Sequence, residues 1–177
     1  MRKMCEEMGY ISVFDKALSG KEYEILFPEN PDTMDEKIKK KHIYYENIIL
    51  DFFEYLFKLN KSVVEIRLYY IEKFDLGIDE DDLYDKKDKQ ELKKIFSSLS
   101  EKEIFYGKCF QLKTKEELRV ILKLQLRTSR TIDFLFKELD LFLKGSYEYI
   151  FTILGDYNEE KIKILSSKKN IFFKKID

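Results

Sequence analysis

Residues 45–70 read YENIILDFFEYLFKLNKSVVEIRLYY, and two periodicities meet inside them. Ile48, Ile49, Phe52, Phe53, Leu56 and Phe57 recur at three- and four-residue steps, which lines up one face of a helix. After Asn60-Lys61-Ser62 the period drops to two. Val64, Ile66, Leu68 and Tyr70 alternate with Glu65, Arg67 and Tyr69, as in a strand with one buried face. A helix that feeds directly into a half-buried strand points to a mixed α+β fold.

Upstream, the helical stripe extends through Tyr45 to Ile38. Pro28-Glu29-Asn30-Pro31 reads as a turn, because both prolines fix φ and lack an amide donor. Asp32 or Thr33 is the expected cap, with Thr33 and Glu36 spaced as a capping box. Asn60 is the expected left-handed stop. The spacing therefore predicts one long helix from near Asp32 to Asn60.

The remaining segments follow the same two rulers. Residues 22–27 alternate and predict a strand, while Met4, Cys5 and Met8 suggest a short helix near the start. Leu92, Ile95, Phe96 and Leu99 predict a helix over 89–99, and Ile104, Tyr106, Phe110 and Leu112 a strand over 103–112. Leu118, Val120, Leu122, Leu124 and Leu126 alternate with Arg119, Lys123, Gln125 and Arg127, which predicts a strand. The competing sign is Thr114 with Glu117, spaced to cap a helix. Thr128-Ser129 is read as the cap of a helix running to Lys144, with Gly145 closing it. Strands are expected at 147–154, 161–165 and 171–174. The sum is a single α+β domain over residues 1–177: a mainly antiparallel sheet packed against about three helices gathered on one face.

Reactive chemistry is thin in this chain. Among 177 residues there are one histidine, two cysteines, six glycines and two prolines, beside 27 aromatics (12 Tyr, 15 Phe). Glycine-rich phosphate loops and His/Cys metal clusters are not evident, so no cofactor and no metal is expected. The 33 basic and 34 acidic residues nearly cancel, which argues against nucleic acid as the partner. Cys5 and Cys109 do not form a disulfide framework, and no segment approaches the ~20 apolar residues of a spanning helix. A cytoplasmic protein with no membrane partner is the expectation.

The densest charge is Asp79-Glu80-Asp81-Asp82, with Asp75 and Asp85 beside it. Counted from Asp79 as a calcium loop, position six is Tyr84 and position twelve is Gln90, where glycine and glutamate are required. Over a metal site the favoured reading is a solvated loop whose acids suit the positive end of the next helix; between the two stands a docking patch for a basic partner formed by Asp79, Glu80, Asp81, Asp82 and Asp85. Metal-dependent nuclease patterns match in letters at Pro31-Asp32, Asp85-Lys86-Lys87, Glu91-Leu92-Lys93 and Glu159-Glu160-Lys161, without the strand context they need. His42, among Lys39, Lys40 and Lys41, is expected at the surface. Cys109 is expected as a small packing residue. Arg119, Lys123 and Arg127, with Arg130, form a possible basic stripe, the first three on one strand face.

Two functions from different classes fit this inventory. The first is a non-enzymatic protein-binding domain, because Tyr and Phe are enriched at interfaces. A bacterial or phage inhibitor or toxin-immunity protein is the compositional analogy. The second is a divergent carboxylate enzyme acting on nucleotides or nucleic acid. It requires at least two acids from Asp79–Asp85, Asp133, Glu148, Asp156 and Glu159 to converge beside a Lys or Arg.

Overall fold

The computed structural model describes residues 7–16, 18–27, 35–68, 85–97, 109–127, 131–145, 149–155 and 157–176. Five helices occur among them: α1 (Gly20–Leu26), α2 (Glu36–Leu59), α3 (Lys86–Ser97), α4 (Lys115–Arg127) and α5 (Glu159–Ser167). Seven strands complete the fold: β1 (Glu7–Ser12), β2 (Val64–Leu68), β3 (Cys109–Leu112), β4 (Ile132–Phe136), β5 (Leu141–Gly145), β6 (Ile150–Leu154) and β7 (Phe172–Lys175). They form one sheet in the order β3-β2-β4-β5-β6-β1-β7, antiparallel at every junction.

Cross-strand partners sort the side chains into two faces. Ile66 lies opposite Phe134, Phe134 opposite Leu143, Leu143 opposite Ile153, and Phe151 opposite Ile11. All of these are buried in the core. α2 seats on this face through Phe53, whose ring lies 5.0 Å from Phe134 and 4.7 Å from Phe151. Gly145, also on this face, is pressed against α4: a Cβ there would meet Gln125 Cδ at 2.7 Å. α5 covers its β1–β7 margin, where Tyr157 packs edge-on to Phe173. The other face carries the row Cys109, Arg67, Asp133, Lys144, Thr152, Tyr10 and Lys174, one residue from each strand.

The expected α2 is present, with Ile49, Phe52, Phe53, Leu56 and Phe57 buried. Its cap is Asp35, whose Oδ1 accepts the Ile38 amide at 2.8 Å, instead of Asp32 or Thr33. Asn60 is not the left-handed residue; Lys61 and Ser62, both at φ 57°, make the turn. Asn60 instead bridges that turn to the β4–β5 connection by accepting the Glu138 amide at 2.7 Å. β2 begins as expected, with Val64, Ile66 and Leu68 inward. The predicted Pro28–Pro31 turn lies outside the described residues.

Four expectations are overturned. Residues 22–26 belong to α1, with Phe27 as its C-cap, and a capping box in which Ser19 and Glu22 satisfy each other's backbone amides nucleates it. Residues 118–126 belong to α4, and the Thr114–Glu117 box opens it. The helix expected from Thr128 to Lys144 is the β4–β5 hairpin, turned by a short 3-10 segment and by Asp140 in left-handed geometry at φ 50°. Gly145 therefore ends a strand, where close packing excludes a side chain. The strand expected at 161–165 is α5, capped by Asn158 Oδ1 on the Lys161 amide. Of the residues read as a short helix near the start, Met8 lies in β1, while Met4 and Cys5 lie outside the described residues. Five helices among the described residues stand against about three expected, around one antiparallel sheet and one core.

Candidate functional site

The two ends of the sheet differ in character. At one end the chain turns tightly, through Asn60–Ser62 into β2, through Lys113-Thr114 out of β3, and through Lys137–Asp140 between β4 and β5. At the opposite end two stretches are long in sequence, residues 69–84 after β2 and 98–108 before β3. β2 ends there at Leu68 and β3 begins there at Cys109, and Gly145 and Tyr149 flank the β5–β6 connection. The acidic run Asp79, Glu80, Asp81 and Asp82 falls in the 69–84 connection, outside the described residues. Asp85 is described. It is exposed and caps α3, its Oδ1 accepting the Asp88 amide at 2.8 Å. That backbone hydrogen bond holds its carboxyl below the ordinary range, helped by the Lys123 and Arg127 charges.

A ladder of ion pairs runs between the two ends along α4. Arg119, Lys123 and Arg127 recur every four residues, so α4 carries them along one side. Arg127 grips Glu46 of α2 with two hydrogen bonds, Nε to Oε2 at 2.7 Å and a terminal nitrogen to Oε1 at 2.6 Å. Glu54, eight residues further along α2, takes Lys115 at 2.7 Å and also Arg119. Lys123 pairs with Asp88 of α3. The pairing order runs up α2 and down α4, which fixes the two helices as antiparallel. Glu46 is 6% and Glu54 8% exposed. Burial alone would raise the Glu54 carboxyl, but hydrogen bonds and charge from Lys115 and Arg119 outweigh it and lower it. The predicted basic stripe therefore exists on a helix, and its cations are engaged by carboxylates inside the fold. Arg130 lies outside the described residues.

His42 is also not where the sequence placed it. Its ring is half-buried, with Nε2 against the Leu26 carbonyl at the end of α1 and Nδ1 2.6 Å from the Tyr149 hydroxyl. A carbonyl only accepts, so Nε2 carries a hydrogen and donates it to Leu26. Phe27 packs edge-on to the imidazole at 5.6 Å, and Tyr45 stands 6.0 Å from Tyr149. Burial of Tyr149 raises its hydroxyl strongly, and the Glu46 charge adds to that. Such a phenol is a neutral donor and not a nucleophile. The cluster clasps α1 to α2 and to the start of β6, with Tyr149 held at φ 57°. The sequence sign of this role is weak: His42 shares a helix face with Tyr45, Ile49 and Phe53, at steps of three, four and four.

The proposed convergence of acids is partly resolved. Asp133 is buried on β4, in the ladder between Arg67 and Lys144. Glu159 bonds Lys163 at 2.6 Å and approaches Lys175 of β7 at 3.7 Å. Four strand spacings separate β4 from β7, or about 19 Å at about 4.8 Å per strand. These two acids do not share a site. Glu148 and Asp156 lie outside the described residues. Among the described residues no three His, Cys, Asp or Glu side chains gather as a metal site would need. Cys109 is exposed on β3, and not the packing residue expected. No helix among the described residues is long and apolar enough to cross a membrane.

The fold and these clusters define an antiparallel α+β domain with an ion-paired helical layer. Comparison with protein-family models, curated proteins and solved structures finds no match to this chain.

Proposed function

We propose that the chain is a non-enzymatic protein-binding domain that engages a basic partner through Asp79, Glu80, Asp81, Asp82 and Asp85. An inhibitor or toxin-immunity protein of a bacterium or phage is the role its composition suggests. One observation carries this reading: Leu68 and Asp85, which flank the acidic connection, both stand at the long-connection end of the sheet. The nearby cations Lys123 and Arg127 already pair with Asp88 and Glu46. The five acids are close in sequence and repel one another, so a basic surface from outside would offer them electrostatic relief.

The test is affinity capture from the native host with wild-type chain and with Asp79→Asn/Asp81→Asn/Asp82→Asn in parallel. Elution is stepped from about 0.05 M to about 0.5 M salt, which shortens the screening length severalfold. A basic protein retained by wild type, released by salt and lost with the variant supports docking. The same protein retained equally by both chains refutes it. Tight magnesium or calcium binding in calorimetry would refute it in favour of a carboxylate enzyme.

A further inference from the structure

Ile43 and Tyr44 are the two most exposed large hydrophobic side chains of the described residues, at 56% and 60%. They are neighbours, and they sit beside three exposed lysines, Lys37, Lys40 and Lys41, on the same outward arc of α2. None of the three pairs with an acid among the described residues, although Lys39 does so with Glu36 and much of α4 is ion-paired. The coincidence is specific. Apolar exposure and unpaired positive charge are concentrated within one stretch of about 10 Å, at 1.5 Å per residue. It lies in the half of α2 that also holds His42 and Glu46.

We infer that this half of α2 is a docking face for an acidic polypeptide segment that also presents an apolar side chain. This surface is separate from the acidic run and opposite in sign. Tyr44 supplies a rigid amphipathic anchor and Ile43 an apolar contact, while Lys37, Lys40 and Lys41 form a cationic rim. Charge decides between ligand classes. Asp35 and Glu36 are exposed at the N-terminal edge of the patch, and Asp51 is exposed two turns beyond Tyr44 on the same arc. A continuous polyanion laid along the helix would meet carboxylates at both edges. A flat anionic membrane would meet them too, with only two apolar side chains to insert. A short segment whose carboxylates fall between those edges meets only lysines.

The probe is a fluorescein-labelled peptide of repeated Glu-Glu-Leu-Phe units, followed by anisotropy and by amide chemical-shift mapping on the full chain. Binding should shift Lys40 to Tyr44 most. Both Lys37→Glu/Lys40→Glu/Lys41→Glu and, separately, Tyr44→Ser should weaken it about tenfold or more. Thermal melts should be little changed, because every altered side chain is exposed and added carboxylates suit a helix N-terminal half. Polyglutamate, which lacks the apolar group, should bind less tightly than the peptide. No binding, shifts centred elsewhere, or affinity unchanged in either variant would overturn the inference. Tighter binding of oligo-thymidylate or of phosphatidylglycerol vesicles at the same residues would also overturn it.

Discussion

Replacing Phe53 by alanine probes the point where α2 meets the sheet. Phe53 is fully buried, and its ring lies within 6 Å, centroid to centroid, of Phe52, Phe134, Phe136 and Phe151. These contacts come from the same helix and from two strands, β4 and β6, so no single neighbour can relax into the space. Truncation withdraws about 150 Å² of apolar surface, or about 4 kcal/mol at about 25 cal/mol per Å². The residual cavity keeps the cost within the about 3–5 kcal/mol usual for Phe→Ala. Urea titration followed by far-ultraviolet circular dichroism should lower the midpoint without changing the slope. Phe53→Leu, which refills part of the volume, should cost clearly less. A loss below about 1 kcal/mol for Phe53→Ala would refute the placement of α2 on this face.

Arg127→Ala leaves Glu46 buried without its two hydrogen bonds and should cost about 3–5 kcal/mol by urea titration, whereas Lys163→Ala, at an exposed pair, should cost under about 1. Glu54 is held below its unfolded value, so its contribution to stability is present above that value and is lost as pH falls through the folded one. The acid-side stability loss, followed by circular dichroism, should therefore be shallower in Glu54→Gln. Gly145→Ala places a Cβ 2.7–3.0 Å from Gln125, whose Oε1 also accepts the Ile132 amide at 2.6 Å. A loss of about 1–3 kcal/mol is expected in thermal melts, partly restored by Gln125→Ala.

The long helix and its following strand were legible because each buries one side only. α4 was not, because Leu118, Val120, Ile121, Leu122, Leu124 and Leu126 are all buried. A helix walled in by the sheet, α2 and α3 keeps only a narrow polar stripe of ion-paired side chains, and the leucines at even positions then imitate a strand. The better sign was the cations, since Arg119, Lys123 and Arg127 lie four apart. The β4–β5 hairpin failed in the opposite sense. Ile132, Leu135, Phe136, Leu139 and Phe142 happen to fall at helical steps, while the buried set is Ile132, Phe134, Phe136, Leu141 and Leu143. Only Asp140, adopting left-handed backbone, breaks the run, and aspartate gives little warning of that. In α1 the Ser19–Glu22 box was present in the letters, but seven residues are too few for a period to show. At the candidate site, charge density singled out Asp79–Asp85, whereas the clasp of His42 by Leu26 and Tyr149 depends on contacts between distant segments.

The position of β1 constrains the order of assembly. It lies between β6 and β7, so the earliest strand to be synthesised is hydrogen-bonded only to the two latest. On the ribosome, α2, β2, α4 and the β4–β5 hairpin can gather around Phe53 while β1 waits for Ile150–Leu154 to emerge. Until then its backbone donors and acceptors have no native neighbour, and loop closure from Ser12 to Ile150 comes late and slowly. The same arrangement sets the start of β1 beside the end of β7, with Gly9 opposite Lys175, so the sheet's outermost strand is paired within the sheet only with a segment made about 160 residues earlier.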